Sequence, residues 1–170
     1  MKSNLLRAAF AAAALGFGSF AAHAATATGT LGVNFNLGQT CTTAQVYPVT
    51  FPGAATGAIA AETGTGVISV TCSTGAPYTV GLDAGLHPST PGDTTTRRMA
   101  GAAQTTSYVT YDLWQNAGAT THWGNNSPVD TVGGTGTGAA QQITVYGQIP
   151  AQTQAQADVY MDTVTITVNY

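Results

Sequence analysis

Two cysteines, Cys41 and Cys72, are the residues in this 170-residue chain best suited to form a covalent bond. Neither has a histidine or a second cysteine close to it in sequence, unlike the ligands of a metal site, and no C-x-x-C redox motif is present. In an oxidising compartment an isolated pair of cysteines predicts a disulfide. The chain-entropy model assigns such a crosslink roughly 3–4 kcal/mol of stabilisation.

Catalytic chemistry has little support in the sequence. Ser, His and Asp all occur, but no G-x-S-x-G motif is present, and His87 lies in a segment rich in Pro and Ser. The glycines at 134 and 136 superficially match a dinucleotide fingerprint, yet they lack the strand-to-helix context and favour a hairpin. We therefore predict no enzyme activity, no catalytic residue, no metal site and no cofactor.

Aromatic residues in the second half of the chain allow one binding hypothesis. A sugar-binding surface could be formed by Tyr111, Trp114, His122 and Trp123. The alternative is that Tyr111 belongs to the core, Trp114 packs on a sheet face and Trp123 caps a loop.

The composition excludes several classes of protein. Only 6% of the residues are charged, 4 basic and 7 acidic, against about 25% in a typical domain. A nucleic-acid binder needs a basic face, and Arg97-Arg98 is the only basic pair outside the first ten residues. A coiled coil would need many more Glu, Lys and Arg residues. What remains is a Thr- and Val-rich β protein whose nearly uncharged surface favours association.

The first 24 residues have the pattern of a signal peptide. Lys2 and Arg7 precede a small apolar run, residues 8–22, and Ala22-His23-Ala24 fits the small-x-small cleavage rule. A transmembrane anchor is the alternative, but the run is short for a span. No later segment is long and apolar enough to cross a bilayer, so we expect export and a mature chain starting at Ala25.

Beyond the signal, hydrophobic residues recur with a period of two, which predicts strands separated by turns rich in Gly, Thr, Pro and Asn. About seven strands predict one β-sandwich domain. Pro48 marks its strand as an edge or bulged strand. The segments 84–106 and 117–141 are expected to be exposed loops or irregular edge strands. The predicted strands are residues 27–37, 46–51, 67–72, 78–82, 107–114, 143–149 and 160–170.

The two ends of the mature chain carry the clearest pattern. In the stretch after the cleavage site, apolar and polar residues alternate over eleven positions. The side chains on the apolar face are small at its start and large further on. That face consists of Ala27, Gly29, Leu31, Val33, Phe35 and Leu37. The last predicted strand is also amphipathic and ends at Tyr170.

At this point the chain resembles the spore coat protein U domain family, which includes pilin subunits of archaic chaperone–usher pili. The order and spacing of six matching segments carry the resemblance across the mature chain. The segments are TGTLGVNFNLGQTCT (Thr28–Thr42), ISVTCS (Ile68–Ser73), YTVGLDAG (Tyr78–Gly85), YDLWQNA (Tyr111–Ala117), VYGQIPAQ (Val145–Gln152) and YMDTVTITVNY (Tyr160–Tyr170).

The resemblance implies a single immunoglobulin-like β-sandwich, residues 39–170, that lacks its seventh strand. It implies that residues 25–38 are a donor strand whose apolar face enters the groove of a neighbouring subunit. The groove, and the surface held by the chaperone through the strand and the C-terminal carboxylate, would include Tyr160, Val164, Ile166, Val168 and Tyr170.

The same resemblance implies the partners and location of the protein. They would be a periplasmic chaperone, an outer-membrane usher and further copies of this chain in a head-to-tail extracellular fibre serving adhesion and biofilm formation. Two alternatives stay open. Residues 27–37 could be an ordinary first strand of a self-contained secreted binding module with glycans as its candidate ligand. Alternatively, the chain could be a spore-coat-like surface protein.

Overall fold

A computed structural model of the protein describes residues 26–53, 58–153 and 156–170. The predicted signal peptide lies outside these residues. The chain divides into an N-terminal unit that ends at Asn36 and a second unit, residues 37–170. Residues 26–40 belong to no helix or strand, so the alternative of an ordinary first strand at 27–37 is not observed. In the described part of the chain, no helix is long and apolar enough to span a membrane.

The second unit is all-β in its described residues, as the period-two pattern predicts. Twelve strands are present in these residues, against the seven expected: the predicted strand 27–37 is not formed, two predicted strands are each divided in two, and four short strands lie outside the predicted ones. The strands are β1 (Cys41–Thr50), β2 (Ala58–Ile59), β3 (Glu62–Cys72), β4 (Pro77–Leu82), β5 (Arg98–Gly101), β6 (Tyr108–Thr110), β7 (Asp112–Trp114), β8 (Val132–Thr135), β9 (Gln141–Ile149), β10 (Gln152–Thr153), β11 (Tyr160–Met161) and β12 (Ile166–Asn169).

All strand pairs are antiparallel. The largest sheet has the order β1-β3-β9-β7, and two three-stranded sheets have the orders β12-β4-β8 and β11-β5-β6. Strands β2 and β10 form a separate pair. In this arrangement β1 is an edge of the four-stranded sheet, and β11 and β12 are edges of the other two.

One apolar core joins the sheets into a sandwich. In β3 the buried residues alternate with more exposed ones, so that Ile68, Val70 and Cys72 face inward. Val80 and Leu82 of β4 face them from another sheet within the same cluster. Alternation in the sequence therefore identifies the inner face of these strands correctly.

The predicted disulfide between Cys41 and Cys72 is present. The two cysteines are directly opposed in the ladder of β1 and β3, so the bond fastens the first residue of the edge strand. Further along, the register of β1 shifts between Gln45 and Tyr47 and again between Tyr47 and Thr50. The expectation that the strand around Pro48 is a bulged edge is confirmed, although the strand starts at Cys41.

Two strands predicted as continuous are divided in the structure. Residues 107–114 change sheets at Tyr111, whose N–H donates to the carbonyl of Arg97 and leaves β6 and β7 in different sheets. Residues 160–170 are divided into β11 and β12 by residues 162–165. Alternation cannot reveal such breaks, because Val109, Tyr111 and Leu113 stay buried on one face throughout.

The segments 84–106 and 117–141 were expected to be loops or edge strands. They contain β5 and β8 and two fully buried side chains, those of Arg97 and Trp123. The Arg97 guanidinium is 0% exposed and donates to the carbonyl oxygens of Leu82, Asp83 and Trp123. Burial lowers the pKa of Arg97 below its usual value, against the attraction of the Asp112 carboxylate, whose Oδ1 lies 3.3 Å from Nη1. Because an unpaired buried cation is costly, these hydrogen bonds fix the two segments to the end of β4.

Glycine at position 147 makes room for the end of β1. A Cβ on Gly147 would lie 2.6 Å from Cγ1 of Val49 and 2.8 Å from Cζ of Phe51. These two side chains therefore pack across the inner face of β9, where any larger residue would displace them.

We expect Gly147→Ala to lower the free energy of unfolding by about 1–3 kcal/mol, because the added methyl overpacks this contact. Gly133→Ala is the matched control, since the nearest heavy atom to its Cβ is 3.7 Å away, and its effect should stay within about 0.5 kcal/mol. Urea denaturation measures both. Equal effects of the two substitutions would contradict this packing.

Candidate functional site

The sandwich is open between two sheet edges. Strand β1 on one side and strands β11 and β12 on the other belong to different sheets and share no ladder. A cavity of about 670 Å³ lies between them, which we call the edge groove. Exposed strand edges carry unpaired N–H and C=O groups that can pair with a further strand.

The floor of the edge groove is the core of the domain itself. Ile68, Leu82, Leu113 and Val145 line it, and each is at most 4% exposed. The walls are formed by half-buried apolar side chains on both sides: Val49 and Phe51 from the β1 side, Met99 from β5, and Tyr160, Val164 and Ile166 from the C-terminal side. The accessible apolar surface of the groove is therefore that of its walls, which pack directly against the core.

A buried carboxylate shapes one end of the groove. The side chain of Asp162 is 2% exposed and accepts hydrogen bonds from the N–H of Leu86 at 2.9 Å and the hydroxyl of Tyr111 at 2.7 Å. The Nδ1 of His87 lies 3.2 Å from the same carboxylate. Burial raises the pKa of Tyr111 above its usual value, and the hydrogen bond to Asp162 raises it further. Asp162 thus positions Leu86 and His87 as part of the groove wall.

A second carboxylate holds the C-terminal segment against β4. Asp83 accepts hydrogen bonds from the N–H groups of Thr165 at 2.8 Å and Gly85 at 2.9 Å. Burial acts to raise the pKa of Asp83, but the hydrogen bonds from Thr165 and Gly85 outweigh it and hold this pKa below its usual value. The two carboxylates together hold the segment between β11 and β12 against the residues that follow β4.

The structure brings together three of the five residues predicted for the groove. Tyr160, Val164 and Ile166 line it. Val168 packs against the core but does not line the groove, and Tyr170 is 59% exposed outside it. Their predicted contact with a chaperone stays a prediction.

The predicted donor residues lie in and next to the N-terminal unit. Ala27 and Gly29 are exposed, and the four larger side chains are 77–89% exposed: Leu31, Val33, Phe35 and Leu37. No charged residue occurs between positions 26 and 40. This segment thus presents an apolar face to solvent, which a lone soluble domain normally avoids.

Sequence reasoning missed the polar residues that shape the groove, chiefly Asp83 and Asp162. A signal for Asp162 was present, since it shares one face of the final segment with Tyr160, Val164 and Ile166. An acidic residue on an otherwise apolar face indicates a buried and hydrogen-bonded carboxylate. The contribution of Leu86 and Met99 had no local signal, because both come from segments without clear alternation.

The predicted aromatic sugar-binding surface is wrong as a set. Trp123 is 0% exposed and donates its Nε1–H to the carbonyl of Val80 at 2.9 Å. Tyr111 is buried and bound to Asp162. Only Trp114 and His122 stay partly exposed, in an edge-to-face pair with ring centroids 5.9 Å apart. Trp123 therefore belongs to the core rather than to a binding surface.

Comparison with known proteins identifies the family. The model of the Spore Coat Protein U domain matches residues 11–167, and the chain belongs to this family. Protein U of Myxococcus xanthus is 33% identical over 110 residues, which are 63% of this chain and 60% of that protein. The chain thus matches less than two thirds of the length of this relative.

A solved structure shares the fold. It is the CsuC–CsuE chaperone–tip adhesion subunit pre-assembly complex from archaic chaperone–usher Csu pili of Acinetobacter baumannii. The likeness has a TM-score of 0.54 at 23% identity and covers 78% of this chain and 40% of that chain. The all-β fold of this chain is therefore similar to one found in a chaperone–usher pilus complex.

The carboxylate of Asp83 generates a prediction about pH. Because its folded-state pKa lies below that of the unfolded chain, it stabilises the fold above about pH 4, and this contribution is lost as the pH falls through the folded-state pKa. At pH 7 we expect Asp83→Asn to reduce the free energy of unfolding by about 1 kcal/mol. The difference from wild type, followed by denaturant titration, should shrink toward pH 2. A difference that is constant with pH would contradict this role.

Proposed function

We propose that this chain is a structural, non-catalytic subunit of an extracellular chaperone–usher pilus and polymerises by donor-strand complementation. The observation that carries the proposal is the edge groove, whose floor is the hydrophobic core and whose walls are two unpaired sheet edges. A single added strand would cover the half-buried apolar walls of the groove and pair with an edge at the same time.

The N-terminal segment has the chemistry that the groove requires of such a strand. Its large side chains sit at every second position, so in a strand all of them point to one face. In an extended chain Leu31 and Leu37 would be about 20 Å apart, the length of an ordinary strand. Fully burying a side chain of this size contributes about 1.5–3 kcal/mol. The absence of charge between residues 26 and 40 means that no ion has to be desolvated.

The direction of strand exchange between copies determines which assembly they form. A segment that fills the groove of the next copy makes a head-to-tail contact, and such contacts build an open filament rather than a closed pair. Before assembly the groove needs a temporary occupant, and the pre-assembly complex that shares this fold contains a chaperone. We therefore propose a periplasmic chaperone, an outer-membrane usher and neighbouring copies as partners, and the cell surface as the location. Adhesion and biofilm formation are the proposed roles of the fibre.

Phe35→Asp tests the donor role. We expect it to block fibre formation, because a carboxylate would have to enter an apolar groove, and to leave the complex with the chaperone intact. Asn34→Asp is the matched control, because residue 34 lies on the opposite face of the alternating segment. Electron microscopy of cells co-expressing chaperone and usher gives the readout. Equal loss of fibres in both variants would argue against insertion of this face.

Deletion of residues 25–38 tests the same proposal without introducing a charge. The shortened subunit should still accumulate with the chaperone, since its groove residues are retained, but it should form no fibres. Fibres of the shortened protein would overturn the donor role. A stable monomer without any chaperone would instead favour a self-contained binding module.

A further inference from the structure

A second cavity lies on the opposite, outer face of the four-stranded sheet. It has a volume of about 600 Å³. Phe51 lines both cavities, and the other residues of this one do not line the edge groove. The strand registers place Thr65, Tyr146 and Trp114 side by side on β3, β9 and β7. The loop of residues 116–119 borders them, and we call this site the outer cleft.

The loop beside the outer cleft is held in a strained conformation. Ala119 has a φ of 49°, a left-handed conformation that costs an alanine about 1 kcal/mol more than a glycine. The side chain of Asn116 maintains it by accepting hydrogen bonds from the N–H groups of Thr120 and Thr121. Strain kept in place in this way is common where a loop shapes a binding site.

Several polar groups of the outer cleft have no partner in the described protein. The indole Nε1 of Trp114 lacks a hydrogen bond, but it is buried and is not open to a ligand. The hydroxyl of Tyr146, the amide of Gln148 and the hydroxyl of Thr65 make no side-chain hydrogen bonds to described residues. Among those residues, none that is charged lines the cleft. Uncharged hydrogen-bonding groups therefore surround two aromatic rings.

We propose that the outer cleft binds a short neutral oligosaccharide. The C–H faces of sugar rings pack on aromatic side chains, and sugar hydroxyls both donate to and accept from uncharged amides and hydroxyls. A charged ligand would find no counter-charge in the cleft, and a purely apolar one would leave the polar groups unsatisfied. The edge-to-face contact with His122 fixes the Trp114 ring. Repetition of the cleft along a fibre would add avidity, but binding by the single chain does not depend on polymerisation.

Tryptophan fluorescence of the full chain tests the proposal. The chain has two tryptophans, and Trp123 is fully buried and hydrogen-bonded, so a ligand-dependent change reports Trp114. The probes are maltohexaose, cellohexaose and laminarihexaose, with a hyaluronan hexasaccharide as the anionic comparison. We expect saturable binding of at least one neutral probe and at least tenfold weaker binding of hyaluronan. Saturable binding of none of the neutral probes, or equal binding of hyaluronan, would overturn the proposal.

Variants locate the binding to the outer cleft. Tyr146→Ala and Gln148→Ala should each raise the dissociation constant, measured by calorimetry, about tenfold. Circular dichroism should show that both variants stay folded. Tyr108→Ala is the matched control, because it removes another partly exposed aromatic ring outside the cleft. Undiminished affinity in both cleft variants, or an equal loss in the control, would place the sugar elsewhere.

Discussion

Between β1 and the C-terminal strands no ladder joins the sheets of the described domain, so the apolar walls of the edge groove are only partly shielded from water. Other features of the site follow from this constraint. The disulfide fastens β1, Arg97 fixes the segments that flank the core, and Asp83 and Asp162 hold the opposite wall. These contacts hold the walls of the groove in place.

The low charge of the chain acquires a physical meaning in this setting. With 6% charged residues, little repulsion opposes the packing of copies, and the segment that we propose as donor carries no charge between residues 26 and 40. The few charges that are present have structural positions. Arg97 is buried within the core and Asp162 within the groove wall, so neither adds charge to the exposed surface. Such a surface also suits an uncharged ligand at the outer cleft.

The sequence predicts the regular parts of this fold well. Alternation identifies the inner faces of β3, β4 and β9, and the isolated cysteine pair predicts the disulfide. It fails where a strand changes sheet, as at Tyr111, because the buried face continues across the break. It also fails for Arg97, Trp123 and Asp162, whose burial depends on partners distant in sequence. Groove residues on the alternating last segment were found, whereas those on irregular loops, such as Leu86, were not.

Donor-strand exchange is the central claim, and hydrogen–deuterium exchange in assembled fibres tests it most directly. Amide protection reports hydrogen bonding of individual segments. We expect amides in residues 28–37 to exchange rapidly in the chaperone-bound subunit and to become strongly protected in the fibre, together with the free edge of the C-terminal strands. Rapid exchange of residues 28–37 in the fibre, or equal protection in both states, would contradict it.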